Sequence, residues 1–145
     1  MSTIKKIKIA VTEDNRYYNA ILSRYLQTVC KGMQNRYPGL NFDIRSYHSG
    51  EELLENVEKD LDILLLDYYL SDDPGQDTLN GPEVLAVVRD YCKHCSVIMV
   101  SEQNQVVNAV ELMKKGLYDY VDKNLSSNNR IGSIIQEIIR KRVAA

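Results

Sequence analysis

Four apolar runs in the chain end on side chains able to do chemistry. Residues 8–11 lead into Glu13 and Asp14, residues 61–66 end on Asp67, residues 97–100 end on Ser101, and residues 118–121 lead to Lys123. If these run ends meet, three carboxylates share one small space. Such groups repel one another unless protons bind or a cation sits among them. An all-oxygen donor set suits magnesium, which keeps several waters and favours a phosphate in its shell. Lys123 and the Ser101 hydroxyl would then face the far side of that phosphate. Asp67 is the group placed to attack phosphorus, since carboxylates can act as covalent nucleophiles.

The elements that must position these groups follow from periodicity. Residues 61–67 form a near-continuous aliphatic run, the pattern of a central parallel strand covered on both faces. Binding sites in such sheets lie beyond the carboxyl ends of the strands. Tyr18, Ile21, Leu22, Tyr25, Leu26 and Val29 make a helical stripe that Met33 and Tyr37 extend, so a first helix is expected to about Arg36 with Asp14 or Asn15 as its cap. Leu40, Phe42 and Ile44 alternate as an outer strand, and Ser49 with Glu52 fits a capping box. Pro82 suits a first helical turn, with Val84, Leu85, Val87 and Val88 as the apolar content of that helix. Val106, Val107, Val110 and Met113 form a fourth stripe closed by Gly116, and Ile131, Ile134, Ile135, Ile138 and Ile139 a fifth. Five strands alternating with five helices over short connections imply a parallel sheet with helices on both faces, in one domain covering residues 1–145.

Composition narrows the function. At 145 residues and 44% hydrophobic, the chain suits one ordinary domain with a core of its own. A formal charge of −2 offers no electrostatic basis for direct nucleic-acid binding. No apolar stretch approaches the roughly 20 residues needed to span a bilayer, so a cytoplasmic location without membrane contact is the expectation. Three cysteines make no disulfide framework. Cys92 and Cys95 have the C-x-x-C spacing, but they lack a second pair for zinc and follow a helix rather than start one. They read as an ordinary helix-to-strand connection. His48 and His94 are too isolated for a phosphorelay role.

Taken in order, Val11-Thr12-Glu13-Asp14, Leu64-Leu65-Leu66-Asp67, Val97-Ile98-Met99-Val100-Ser101 and Tyr120-Val121-Asp122-Lys123 resemble the receiver domain of two-component response regulators. The likeness runs from Ile7 to the last helix, and the spacing of Ser101 and Lys123 also looks like the family's. It implies a flavodoxin-like fold with strand order 2-1-3-4-5, the order known for the chemotaxis member of the family. It implies that Asp67 is the phosphoacceptor. Glu13, Asp14, Asp67 and the backbone carbonyl of Tyr69 would hold Mg2+. Ser101 and Lys123 would bind the phosphoryl group, and Tyr120 would be the aromatic that swings inward with Ser101. Tyr69 and Gln103 would border the path of attacking water. The implied partners are a sensor histidine kinase or histidine phosphotransfer protein and a downstream protein target, with possible homodimer formation through helix 4, strand 5 and helix 5.

The sequence also departs from the family. Asn124 follows Lys123 where a proline is usual, which bears on the cis peptide found there. The segment from Asp67 to Gly81 is longer than usual, with Asp72, Asp73 and Asp77 in the excess. Because the chain ends just after its fifth helix, a stand-alone switch or relay component is the leading expectation, not an enzyme beyond its own phosphorylation and dephosphorylation. A docking module that does not cycle phosphate is one alternative. A magnesium-dependent aspartyl phosphohydrolase is another, disfavoured because Tyr69 stands where such enzymes of the haloacid-dehalogenase type place a second acid.

Overall fold

The computed structural model describes residues 5–70, 79–102, 109–124 and 126–144. Ten elements alternate along them: β1 (Lys5–Thr12), α1 (Arg16–Arg36), β2 (Leu40–Tyr47), α2 (Gly50–Asn56), β3 (Ile63–Asp67), α3 (Gly81–Tyr91), β4 (Ser96–Glu102), α4 (Ala109–Lys114), β5 (Asp119–Lys123) and α5 (Ser127–Ala144). The strands form one parallel sheet in the order β2-β1-β3-β4-β5, the flavodoxin-like arrangement that was expected.

Every residue of β3 is buried, as a strand flanked on both faces must be. Its side chains alternate between two cores. Ile63 and Leu65 join Ile7, Ile9, Val11, Ile98 and Val100 against α1 and α5. Leu64 and Leu66 join Ala10, Val97 and Met99 against α2, α3 and α4. All five isoleucines expected on the last helix are buried. Each such side chain contributes about 1.5–3 kcal/mol relative to exposure, so the sheet is held from both sides.

Local signals explain the element ends. Asn15 caps α1, its side chain accepting from the Tyr18 N–H. The Ser49 side chain accepts from the Glu52 N–H, but the Glu52 carboxylate accepts from His48 N–H, one residue before the cap, so only half of the expected box forms. A complete box occurs instead at Asn80 and Glu83, with Pro82 in the first turn. Gly116 closes α4 at φ 101° in a Schellman arrangement: Leu117 N–H bonds the Leu112 carbonyl and Gly116 N–H that of Met113. Among the described residues no peptide bond is cis, which includes the bond between Lys123 and Asn124.

Two stripes differ from expectation. On α1 the buried residues are Asn19, Leu22, Leu26, Cys30 and Met33, while Ile21 is exposed. The helix is rotated so that Asn19 reaches polar groups at the sheet edge. On α4, Val110 is 65% exposed and Met113 is also open to solvent, leaving only Leu112 buried. The helix is short and rests on the sheet along one line; Val106 and Val107 lie outside the described residues. Tyr17 and Tyr91 face solvent from their helices. Cys92 and Cys95 lie in the α3–β4 connection as expected, both buried, and the Cys92 thiol donates to the carbonyls of Lys59 and Leu61. Burial pushes the Cys95 thiol well above its ordinary range. No helix among the described residues is long and apolar enough to cross a membrane.

Candidate functional site

The carboxyl ends of β1, β3, β4 and β5 come together. β1 and β3 are neighbours in register through Thr12 and Leu66, so Glu13 and Asp67 emerge side by side. Glu13 continues the ladder one step, its N–H bonding the Tyr47 carbonyl at 3.0 Å. Glu13, Asp14 and Asp67 each place a carboxylate oxygen within 4.8 Å of the others. Asp67 is 7% and Glu13 2% exposed, so two of the three acids are withdrawn from water.

Lys123, the last residue of β5, reaches across β4 and β3. Its Nζ lies 2.5 Å from Glu13 Oε1 and 3.5 Å from Asp67 Oδ2. The Asp67 Oδ1 atom accepts from the Tyr69 N–H at 3.3 Å. Ser101 is fully buried near the end of β4, and among the described residues its hydroxyl has no hydrogen-bond partner. Nor have Glu13 Oε2 and Thr12 Oγ1. Native structures rarely leave buried polar atoms unpaired, and a cluster of them at one strand edge marks a place for a ligand.

The electrostatics agree. Burial, reinforced by Asp67, raises Glu13 to about 7, even though Lys123 acts to lower it. Burial also raises Asp67, with Glu13, Lys123 and the Tyr69 N–H opposing. For Lys123 burial works to remove the charge, but Glu13 and Asp67 outweigh it and the net shift is upward. One ammonium therefore serves two buried carboxylates, with the Asp14 carboxylate within 4.8 Å of both. A hard divalent ion with oxygen ligands would relieve this excess, and the donor set fits one.

The structure thus brings together Glu13, Asp14, Asp67, Ser101 and Lys123. Tyr69 follows Asp67 at the rim, 38% exposed, with its ring edge-on to Tyr68 at 4.6 Å. Tyr120 is half-buried on β5 against the α2–α3 core. Burial raises its hydroxyl, and the neighbouring Asp122 adds to this. Gln103 and the insertion at residues 71–78 lie outside the described residues.

Three positions escaped the sequence reading. Asn19 is buried and donates to the carbonyls of Glu13 (3.0 Å) and Tyr47 (2.9 Å), while Ser23 and Ser46 donate to its Oδ1. It ties the acidic loop to the end of β2. An asparagine in phase with Leu22 and Leu26 on an apolar face is the signal that could have found it. Gly81 is needed because a Cβ there would lie 2.6 Å from the Asp67 carbonyl oxygen; its N–H bonds the Tyr68 carbonyl at 2.9 Å. Tyr18 places its ring 4.5 Å from Lys123 Nζ.

Comparisons with known proteins agree with this geometry. No curated protein matches the sequence. Among solved structures, a response regulator receiver domain protein from Clostridium thermocellum superposes with TM-score 0.70 at 20% identity, over 96% of this chain and 99% of that one. The receiver domain of NtrX from Brucella abortus gives 0.67 at 15% identity, over 91% and 98%. DrrB, an OmpR/PhoB homologue from Thermotoga maritima, gives 0.69 at 18%, over 95% of this chain but 54% of that longer one. At these identities the structures speak for the fold alone. The family model for the response regulator receiver domain matches residues 9–136, nearly the whole of the chain, and the chain belongs to that family.

Proposed function

We propose that this receiver domain is a phosphoacceptor switch in two-component signalling, with Asp67 as the acceptor. The observation that carries the proposal is the cluster of three carboxylates within 4.8 Å of one another, with Lys123 reaching into it and a buried, unpaired Ser101 hydroxyl at the next strand end. A carboxylate oxygen of Asp67 attacks the phosphorus of a phosphohistidine on a sensor histidine kinase or histidine phosphotransfer protein. The P–N bond breaks and the imidazole leaves with its electron pair, taking a proton. Glu13, Asp14, Asp67 and the Tyr69 carbonyl would hold magnesium, which when bound would supply positive charge to the phosphoryl oxygens. Lys123, its Nζ 3.5 Å from Asp67 Oδ2, pairs with the new phosphoryl group, and Ser101 offers it a hydroxyl. The chain is not an enzyme toward other substrates; it acts on its own carboxylate.

Phosphorylation adds about −1.5 to −2 charges. That charge draws Lys123 and Ser101 and biases the packing of Tyr120, and with it the face made by α4, β5 and α5. This face is the docking surface for a downstream protein, for a relay partner or for a second copy. The edge-on Tyr68–Tyr69 pair at the rim shields the acyl phosphate from water.

Incubation with phosphoramidate and magnesium tests the proposal. The native chain should gain the mass of one phosphoryl group and Asp67→Asn should gain none. If the native chain takes up no phosphate, the docking module is the better reading. Tyr69→Ala should shorten the lifetime of the phosphorylated form; an equal or longer lifetime would remove the shielding role.

A further inference from the structure

Nothing in the phosphoacceptor chemistry above calls on Tyr18, yet its placement is closely specified. The Asn15 side chain accepts from the Tyr18 N–H at 3.0 Å, which pins this residue in the first turn of α1. The side chain therefore leaves the helix in a defined direction. Its ring packs against the core between the sheet and the α1–α5 face, and the ring centroid lies 4.5 Å from Lys123 Nζ. The same ammonium faces Glu13 and Asp67. The Tyr18 hydroxyl is buried beside Ser127, and among the described residues it completes no hydrogen bond of full geometry. The closest charged group its ring meets is the Lys123 ammonium.

A lysine side chain has four rotatable carbons and loses considerable entropy when held in one place. Acids alone attract its ammonium but do not fix its direction. An aromatic face does both: it closes off one side and attracts the cation through the ring quadrupole, more strongly where water is excluded. The Lys123 side chain is only 13% exposed, so the contact is largely desolvated.

We propose that Tyr18 is a positioning residue for Lys123, its ring forming the wall that holds the ammonium between Glu13 and Asp67. An aliphatic residue at this position would fill the same space without attracting the charge. The kinetic consequence rests on the phosphoacceptor reading above, but the positioning itself does not.

Two variants separate the ring from the hydroxyl and from simple bulk. Tyr18→Phe keeps the aromatic face. Tyr18→Leu removes it, with Tyr18→Met as the substitute if the leucine variant does not fold. In the metal-free protein, NMR of the Lys123 ε-methylene protons should show the upfield shift of a group over a ring in the native and Tyr18→Phe proteins. That shift should vanish in Tyr18→Leu. A shift retained in Tyr18→Leu, or lost in Tyr18→Phe, overturns the proposal.

With phosphoramidate and magnesium, Tyr18→Leu should slow phosphorylation about ten-fold and Tyr18→Phe should stay within about two-fold of native. In a Lys123→Met background Tyr18→Leu should cost nothing further, because the two residues act as one unit. Equal slowing in both backgrounds would mean a merely structural tyrosine and would also overturn the proposal. If the native chain accepts no phosphoryl group, the phosphoacceptor reading fails, while the NMR arm still decides the role of Tyr18.

Discussion

At the amino edge of the sheet, the Asp62 carboxylate accepts from the Lys8 backbone N–H at 2.9 Å and pairs with Arg142 at 3.3 Å. Lys8 Nζ meets Glu58 at 3.1 Å and Asp60 at 2.9 Å, and Arg45 adds pairs with Asp43 and Glu58. At the carboxyl edge, Glu13 and Asp67 share the Lys123 ammonium with Asp14 close by, and among the described residues buried oxygens of Thr12, Glu13 and Ser101 find no partner. Both edges gather acids around cations. The first sets three cations against four acids, close to balance, and opens its outermost pairs to solvent, which suits structure. The second buries an excess of one sign, a cost that a bound cation would remove. Charge clusters become functional candidates when they are unbalanced and dry, not merely dense.

The sharpest way to test this contrast is to supply the cation. Magnesium at about 100 times its dissociation constant should stabilise the native fold by about 2.7 kcal/mol, read as a shift in the urea midpoint. No shift would leave the carboxyl edge without its reason. Cutting the amino edge should act nearly as strongly in the opposite direction. Asp62→Ala removes the acceptor of the Lys8 N–H and the ion pair of Arg142, and should lose about 2 kcal/mol. A loss under about 0.5 kcal/mol would show that this edge, too, is dispensable.

Neutralising the unbalanced edge should reverse that sign. Glu13 has its folded-state pKa raised from 4.5 to about 7. Below about 4.5 both folded and unfolded states hold the proton and nothing is lost. As pH rises toward 7 only the unfolded state releases it, so the metal-free fold is penalised, fully so above 7. In chelator, Glu13→Gln should therefore gain about 1–2 kcal/mol over native at pH 8 and nothing at pH 4. Equal differences at both pH values would break the account. The smallest effect belongs to an exposed pair: Glu58→Gln should change stability by about 0.5 kcal/mol or less. A larger loss would mean that the outer amino-edge pairs matter more than their exposure suggests.

Much of the site was legible because strand ends are legible. A run such as Ile63 to Leu66 is apolar for a physical reason, burial on both faces, and the first charged residue after it lies at the sheet edge. That logic located Asp67, Glu13 and Ser101, and the family likeness ordered them. Helical faces were less legible. The α1 stripe was drawn through Ile21 because it is apolar, whereas the fold turns Asn19 inward to satisfy two strand-end carbonyls. Val110 and Met113 were assigned to a core from which a six-residue helix holds them away. Hydrophobicity identifies candidates for burial; the available neighbours decide among them.

By itself the sequence determined the alternation of strands and helices, the all-oxygen character of the acidic cluster and the cap at Gly116. These depend on local periodicity, side-chain chemistry and backbone freedom, which a residue carries wherever it sits. Only the tertiary structure decided that Lys123 crosses two strands to lie beside Glu13, that Tyr18 lies against its ammonium, and that Gly81 must pass over the backbone of Asp67. Each of these joins residues far apart in the chain, and their contact arises from sheet order and helix rotation, which no single segment encodes.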